Sequence, residues 1–173
     1  VQQVLAGNAR AFEDLVVKYE RQVYSTAYRM TNNKDDAEDI TQNVFIKVYE
    51  NLKSYRPEHK FFSWIYRITL NETVNLLKQR NRIQELNEDR LRENETPEEV
   101  FQREEMTDRI QNALLEIPLV YRIVLLLKHF NQFSYREIAY IMDVSEKKVK
   151  SRLFTARQHL RTVLLRRGIV PNE

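Results

Sequence analysis

The residues best suited to chemistry lie near the end of the chain, in the stretch SYREIAYIMDVSEKKVKSRLFTARQHL (134–160). If its second half is a helix, successive side chains are about 100° apart, and one side collects cations, hydroxyls and an aromatic ring. This recognition face consists of Lys147, Lys148, Ser151, Phe154 and Thr155, flanked by Lys150, Arg152 and Arg157. Cations neutralise phosphates, and short side chains reach base edges in the major groove. The pattern favours binding of this face to duplex DNA. The alternative is a basic helix whose charged side is simply solvated.

Two helices joined by a tight turn are predicted to position the recognition face. Ser134 and Glu137 have the S-x-x-E spacing of a capping box, which marks a helix start. Asp143 can adopt the left-handed backbone of a turn, and Ser145 then caps a second helix. Apolar residues recur at helical spacing on the second helix, at Val149, Leu153, Ala156 and Leu160. The spacing therefore predicts a helix–turn–helix with its apolar side packed inward.

A second stretch, KSYRPEHKFFSWIYR (53–67), alternates aromatic rings with cations. Pro57 predicts a loop at its start, and a helix is predicted from about Ser63 to Arg80. Such a loop suits single-stranded nucleic acid, because bases stack on rings and phosphates bind cations. The candidate residues are Tyr55, Arg56, His59, Lys60, Phe61, Phe62, Ser63, Trp64, Arg67 and Asn71. Packing of the same rings in a hydrophobic core is the alternative.

A third candidate is the acidic start of a helix predicted over residues 35–52, where Asp35 is expected to be the N-cap. The acidic and amide surface consists of Asp36, Glu38, Asp39 and Gln42, and the inward-packing residues are Ile40, Val44, Phe45 and Val48. Neighbouring helical carboxylates do not converge on one ion, so no metal site is expected. The surface is either a solvated helix start or a docking site for a basic partner.

Composition limits the classes of protein that fit. Apolar residues make up 42% of the 173, and only two Gly and four Pro interrupt the chain, which predicts long helices. There is no Cys, so disulfide frameworks and thiolate metal sites are excluded. The longest purely apolar run, 123–127, is far shorter than the roughly 20 residues of a membrane span. We therefore expect a soluble protein in a reducing compartment.

Charge is distributed unevenly although the net charge is only +3. Residues 51–82 hold seven basic and two acidic residues, and residues 146–173 hold eight basic and two acidic residues. Between them, residues 83–119 hold four basic and eleven acidic residues. Two basic blocks separated by an acidic segment indicate two surfaces for a polyanion.

The pattern of elements predicts an all-α protein with two small helical domains, residues 1–80 and 97–173. The first is expected to contain helices over 1–32, 35–52 and 63–80. Residues 81–96 lack apolar periodicity and are dense in charge, which predicts a flexible linker. Thr96 and Pro97 are then expected to start a helix that ends at Pro118, before a helix over 121–130 and the helix–turn–helix.

The chain contains, in this order, the segments DAEDITQNVF (36–45), FFSWIYRITLN (61–71) and IPLVYRIVLLLKHFNQFSYREIAYIMDVSEKKVKSRLFTARQHLR (117–161). Together they resemble the two-domain, extracytoplasmic-function (ECF) group of bacterial RNA polymerase sigma factors. The resemblance covers nearly the whole chain. Two departures from the group's pattern are Lys147-Lys148, in place of a usual Gly-Thr, and Asn131, in place of a frequent Gly. Asn is expected to tolerate the same left-handed backbone.

The resemblance implies a role for each candidate surface. The domain 1–80 would dock on RNA polymerase and recognise the −10 promoter element, and the domain 97–173 would recognise the −35 element. The helix that would contact the coiled coil of the polymerase's largest subunit carries the implied polymerase-binding residues, which are Asp36, Glu38, Asp39, Gln42 and Phe45. The candidate residues between Tyr55 and Asn71 would capture the opened −10 strand. The residues that would meet base edges of the −35 element are Lys150, Ser151, Phe154 and Thr155. Those that would meet either phosphates or the helix's own surroundings are Lys147, Lys148, Arg152 and Arg157.

The function that the resemblance implies is promoter recognition, and no cofactor is expected. The implied partners are core RNA polymerase, through its coiled coil and flap, promoter DNA, and an anti-sigma factor that could hold the protein at the inner face of the cytoplasmic membrane. The sequence shows no nucleophile–base pair, phosphate-cradling loop or metal constellation, so an enzyme is not expected. The main alternative is a helix–turn–helix regulator that binds duplex DNA without polymerase. A further alternative is an RNA-binding adaptor.

Overall fold

The computed structural model describes residues 1–87 and 106–169. Within these residues every regular element is helical, which confirms the predicted all-α class. The first unit is built from α1 (Gln2–Leu5), α2 (Ala9–Thr31), α3 (Lys34–Asn51) and α4 (Phe61–Asn87). The second unit is built from α5 (Met106–Leu115), α6 (Leu119–Leu125), α7 (Tyr135–Met142) and α8 (Glu146–Arg166).

Asparagines set the helix boundaries of the first unit. The helix predicted over 1–32 is interrupted at Gly7, whose φ of 92° lies in the left-handed region, and α2 starts after Asn8. Asn32 takes φ 54° and ends α2. Asn33 then caps α3, its side chain accepting a backbone hydrogen bond at 2.9 Å. The expected cap at Asp35 is therefore wrong, because α3 begins one residue before it.

The core of the first unit lies where α2, α3 and α4 meet. Its buried residues are Val23, Ala27, Ala37, Ile40, Val44, Phe45, Val48, Leu52, Trp64 and Ile65. Two threonines of α4 are also fully buried, and each hydroxyl donates to the carbonyl one turn earlier: Thr69 to Ile65 at 3.0 Å and Thr73 to Thr69 at 2.8 Å. These bonds satisfy polar groups that would otherwise be costly to bury.

Helix α4 is longer than predicted at both ends. It begins at Phe61 instead of Ser63 and continues past Arg80 to Asn87. Residues 81–87 of the predicted linker are therefore helical, and the sequence offers no Gly or Pro before Pro97 that would stop the helix. The rest of that linker, and the helix start predicted at Thr96 and Pro97, lie outside the described residues.

The helix–turn–helix forms as predicted. The Ser134 side chain accepts the Glu137 amide at 3.2 Å, and the Glu137 carboxylate accepts the Ser134 amide at 2.8 Å, which completes the capping box. Asp143 takes φ 53° in the turn, and Ser145 caps α8. On α8 the inward side is buried at Val149, Leu153 and Ala156, with Leu160 packed against it.

In the segment before α7, the residue with a left-handed backbone is not the one that the sequence suggested. Helix α6 continues through a wider turn, Leu126–Phe130, so the predicted helical stretch 121–130 is helical throughout. Asn131 has φ −95°, and the left-handed residue is Gln132, with φ 58°. The Asn131 side chain instead makes hydrogen bonds to the first unit, to Thr26 and Tyr66.

The two units share a hydrophobic core. Met30, Tyr66 and Leu70 of the first unit are buried in one cluster with residues of α5, α6, α7 and α8. The Phe133 ring lies 4.9 Å from the Tyr66 ring and 5.2 Å from the Phe62 ring, measured between centroids. The units therefore have a defined relative position through direct contact.

Candidate nucleic-acid and polymerase interfaces

The recognition face of α8 is largely open to solvent. Phe154, a large apolar ring, is 66% exposed although its neighbour Leu153 is buried. The other exposed members are Lys147, Lys148, Lys150, Ser151 and Arg157, and the half-buried members are Arg152 and Thr155. Because the N-terminus of α8 also carries the positive end of its helix dipole, this end of the helix is suited to bind phosphate.

Two members of the face have specific neighbours on the same unit. The Lys150 ammonium lies 5.7 Å from the centre of the Tyr135 ring, which the Lys128 ammonium also approaches, at 4.8 Å. Burial lowers the pKa of His129, and the positive charges of Arg157 and Lys128 lower it further. Lys128, Lys150 and Arg157 thus place positive charge beside the first half of α8, which favours a polyanionic partner.

The aromatic rings of the 53–67 stretch pack largely on one another. The Tyr55 ring lies 5.1 Å from Phe61 and 5.5 Å from Trp64, and the Tyr55 hydroxyl donates to the His59 carbonyl at 2.8 Å. Burial raises the pKa of Tyr55. Trp64 is only 8% exposed and Ser63 is buried. The alternative reading of core packing therefore holds for Trp64 and Ser63, which do not offer an open stacking platform in this arrangement.

Three polar residues of this stretch contact α7 of the second unit or its C-cap residue. The His59 ring stacks on the Tyr140 ring with centroids 3.6 Å apart and planes at 19°. The Lys60 ammonium pairs with the Glu137 carboxylate at 2.9 Å. The Arg67 guanidinium pairs with Asp143 at 3.4 Å and lies over the Tyr140 ring. Arg56 and Asn71 are exposed and make none of these contacts.

The contact with Lys60 changes the pKa of a carboxylate on α7. Burial alone would raise the pKa of Glu137, but hydrogen bonds from Lys60 and Ser134 outweigh it and lower the pKa below its usual range. The carboxylate is therefore ionised wherever the protein is folded near neutral pH. Glu137 serves two purposes at once, because it completes the capping box of α7 and holds a cation of the other unit.

The structure also brings the two predicted DNA surfaces to the edges of one cleft. This cleft lies between the units and has a volume of about 930 Å³. Its walls include Trp64, Arg67 and Asn71 from α4, and Arg152 from α8. Lys78 adds positive charge to the same walls, whereas Lys47 is paired there with the Glu72 carboxylate at 2.6 Å.

The acidic surface of α3 is smaller than predicted. Glu38, Asp39 and Gln42 are exposed, as expected. Asp36 is only 7% exposed, and its carboxylate pairs with the Arg80 guanidinium at 2.5 Å. The structure thus removes Asp36 from the exposed surface, since a residue of α4 distant in sequence covers it.

A groove between α2 and α3 borders this acidic surface, and sequence reasoning missed it. The groove has a volume of about 980 Å³ and is lined by Phe12, Val16, Val17, Glu20, Arg21, Tyr24, Glu38, Thr41, Gln42, Phe45, Ile46, Tyr49 and Glu50. Val17 is 78% exposed, and Ile46 and Tyr49 are also exposed. Exposed apolar residues grouped in this way mark interaction sites. The signal was present in the apolar residues Val17, Ile46 and Tyr49, which widen the apolar stripes of α2 and α3 beyond the residues that pack in the core.

The described residues carry neither a metal-binding cluster nor a membrane-spanning helix. Residues 1–87 and 106–169 contain no group of three or more His, Cys, Asp or Glu side chains placed to hold a metal ion. Among the described helices, none is both long and apolar enough to cross a membrane.

Comparison with known families matches both units of the fold. The Sigma-70 region 2 family matches residues 15–83, and the Sigma-70, region 4 family matches residues 107–160. The ECF RNA polymerase sigma factor SigW of Bacillus subtilis is 31% identical over 176 residues, covering 95% of this chain and 94% of that protein. The RNA polymerase sigma-H factor of Pseudomonas aeruginosa is 32% identical, covering 91% and 88%.

Solved structures share the fold. The sigma factor RpoE of Bartonella quintana, solved with the anti-sigma factor NepR, has a TM-score of 0.74 at 20% identity, covering 90% of this chain and 98% of that chain. CnrH, solved with the cytosolic domain of CnrY, has a TM-score of 0.73 at 24% identity, covering 94% and 93%. With both regions present in order and curated relatives matched along nearly their full length, the chain belongs to the ECF group of RNA polymerase sigma factors.

Proposed function

We propose that this chain binds core RNA polymerase and directs transcription initiation to promoters by recognising two DNA elements. The exposed recognition face of α8 reads the −35 element as duplex. The loop before α4, with Arg56, His59 and Lys60, and the first turns of α4, with Arg67 and Asn71, bind the opened strand of the −10 element. The protein contributes specificity and binding energy, and the polymerase performs the chemistry.

The observation that carries this proposal is the coexistence of two unlike surfaces on one fold. A cationic face with an exposed aromatic ring on α8 suits DNA, whereas an acidic rim beside an apolar groove on α3 does not. A regulator that acts without polymerase would need only the first surface. A partner with basic and apolar residues, such as the coiled coil of the polymerase's largest subunit, suits the second.

We assign polymerase docking to Glu38, Asp39 and Gln42 together with the groove residues Phe45 and Val17. Carboxylates steer a basic partner into place, and the apolar groove supplies the area that is removed from water. In the same division of labour, residues 1–80 form the polymerase-docking and −10-binding domain, residues 81–96 the connection, and residues 97–173 the −35-binding domain. Asp36, by contrast, acts through its pair with Arg80, which holds α3 against α4.

An anti-sigma factor is a second proposed partner. The groove between α2 and α3 exposes apolar residues that a regulatory protein could cover, and covering it would block polymerase docking. Anchoring of such a factor would then keep the chain at the inner face of the membrane. Competition between a purified candidate anti-sigma factor and core polymerase for the chain would test this assignment.

The decisive experiment is transcription in vitro with core polymerase on a library of promoters with randomised −35 and −10 positions. We expect the wild-type chain to start transcription at a defined pair of sequences. Asp39→Arg should reduce initiation about tenfold or more at limiting chain concentration, because reversing one charge at the rim opposes a basic partner. The matched control is Asp14→Arg, an exposed acidic residue of α2 that belongs neither to the acidic surface of α3 nor to the groove lining. Failure of the wild-type chain to initiate anywhere, or equal loss in both variants, would refute the proposal.

A further inference from the structure

The contacts between the units occupy the same side chains that the proposed function requires for the opened DNA strand. His59, Lys60 and Arg67 would each have to contact that strand. In the structure the His59 ring stacks on Tyr140, the Lys60 ammonium pairs with Glu137, and the Arg67 guanidinium pairs with Asp143. The partner groups all belong to α7 or its C-cap.

The chemistry of that α7 surface resembles the chemistry of single-stranded nucleic acid. A base offers a flat ring for stacking, and Tyr140 offers one at 3.6 Å from the His59 ring. A backbone offers regularly spaced anions, and Glu137 and Asp143 place carboxylates at 2.9 and 3.4 Å from Lys60 and Arg67. One ring and two carboxylates thus meet one ring and two cations in matching positions.

A buried polar network beside these contacts makes the arrangement specific. The Asn131 side-chain amide donates to the Thr26 hydroxyl at 3.1 Å and to the Tyr66 hydroxyl at 2.8 Å. The Arg122 guanidinium donates to the Met30 carbonyl at 2.9 Å. The Asn131 amide nitrogen and one terminal nitrogen of Arg122 thus find acceptors in the other unit, while Asn131 Oδ1 and Arg122 Nε are buried without a hydrogen-bond partner among the described residues.

A second set of contacts joins the middle of α5 and the end of the Leu126–Phe130 turn to the end of α2. The Gln111 side chain is buried and donates to the Arg29 carbonyl at 2.9 Å. The Arg29 guanidinium in turn lies 4.2 Å from the centre of the Phe130 ring. Contacts at several points around the interface oppose rotation of one unit on the other.

We propose that this arrangement is a self-inhibited state of the free chain, in which α7 covers the −10-binding loop as a mimic of the DNA strand. The inference rests on the proposed function and adds its regulation. The recognition face of α8 and the acidic rim of α3 stay exposed in the same arrangement, so polymerase docking and duplex contact do not require opening. Capture of the opened strand does require the units to separate.

A reversible cross-link tests the proposal directly. Glu58 and Arg136 line one small cavity between the units and belong to neither proposed DNA surface. The chain has no Cys, so Glu58→Cys with Arg136→Cys gives a single reactive pair for a short, reducible bis-maleimide. The control pair is Glu58→Cys with Arg161→Cys, whose second residue lines a separate groove beside His129. We expect the first pair to cross-link at least about tenfold faster than the control pair, because effective concentration falls steeply with distance.

The purified cross-linked chain is then added to core polymerase with a promoter selected from the library, before and after reduction. We expect initiation to fall at least tenfold in the cross-linked form and to recover when the link is reduced. If the reduced chain initiates and the cross-linked chain initiates equally well, self-inhibition is refuted while the proposed function stands. Equal cross-linking rates in the two pairs would refute the closed arrangement itself. If neither form initiates, and the wild-type chain also does not, the proposed function is what fails.

A second measurement uses substitution. Tyr140→Ala with Asp143→Asn removes the ring and one carboxylate of the mimic, and Asn keeps the left-handed backbone at residue 143. We expect this variant, without polymerase, to bind a single-stranded oligonucleotide of the selected −10 sequence several-fold more tightly than the wild-type chain does. Unchanged or weaker binding, in a variant whose circular dichroism matches wild type, would contradict the proposal.

Discussion

At the scale of single residues, Tyr66 shows how a phenol joins two units. Its hydroxyl donates to the Gln22 carbonyl at 3.1 Å and accepts hydrogen bonds from Thr26 at 3.1 Å and Asn131 at 2.8 Å. Burial raises the pKa of Tyr66 to about 12, although the hydrogen bond with Thr26 acts in the opposite direction. The neutral hydroxyl is thus the form that the fold stabilises.

This raised pKa predicts a loss of stability in alkali. The folded pKa of about 12 exceeds the ordinary 10.0, so the stabilisation is complete below pH 10.0 and is lost as pH rises through the folded pKa. We expect the unfolding free energy of the wild-type chain to fall by about 2 kcal/mol more over this range than that of Tyr66→Phe. Urea denaturation at a series of alkaline pH values measures this difference, with the exposed Tyr49→Phe as control. Parallel pH profiles for wild type and Tyr66→Phe would contradict the assignment.

At the scale of elements, α8 separates folding from recognition within two adjacent residues. Leu153 is 1% exposed and packs in the shared core, whereas Phe154 is 66% exposed on the recognition face. The same helix therefore contributes both to folding and to the proposed DNA recognition. Substitution of Leu153 and of Phe154, one at a time, distinguishes the two contributions.

We expect Leu153→Ala to lower the unfolding free energy by about 2–5 kcal/mol, because it leaves a cavity in the core. Phe154→Ala should change that free energy by less than about 0.5 kcal/mol, because it removes only a solvated side chain. On promoters selected from the library, Phe154→Ala should nevertheless lose most of its discrimination at the −35 positions. Thermal unfolding and the transcription assay together check the pair. Loss of stability in Phe154→Ala, or unchanged −35 discrimination, would show that the ring has another role.

The elements themselves were largely predictable, because their signals are local. The capping box at Ser134, the turn at Asp143 and the apolar spacing of α8 all lie within a few residues of the structure they specify. Errors arose where neighbouring residues could do the same work. Asn33 and Asp35 are both good caps, and the pattern alone did not decide between them.

At the scale of the whole molecule, the interface between the units was not predictable from the sequence. Asn131 and Tyr66 are 65 residues apart, and Arg122 and Met30 are 92 residues apart. Helical periodicity and capping motifs are local signals and do not indicate such long-range contacts. The aromatic residues between Phe61 and Tyr66 were compatible both with DNA binding and with core packing. The burial of Trp64 and the pairing of Asp36 with Arg80 had the same cause, since both depend on helices that are distant in sequence.

The shared core predicts that the two units unfold together. We expect one calorimetric transition for the wild-type chain, with equal calorimetric and van't Hoff enthalpies. Gln111→Ala combined with Asn131→Ala removes hydrogen bonds between the units but leaves the shared hydrophobic core in place, so it should lower the transition temperature while a single transition remains. Arg136→Ala, an exposed change on α7, serves as control. Two resolved transitions in the wild-type chain, or a calorimetric enthalpy well above the van't Hoff enthalpy, would show that the units unfold independently.

Under the self-inhibition proposed above, the outward position of α8 would set an order of events along a genome. A chain whose duplex-reading helix is always available can pause at −35-like sequences while its strand-binding loop is still shut. The chain would stay bound only at sites where the neighbouring base pairs open, because the released strand could then displace α7. Promoter choice would then be made in two successive checks, the first on intact duplex and the second on the ease with which it comes apart.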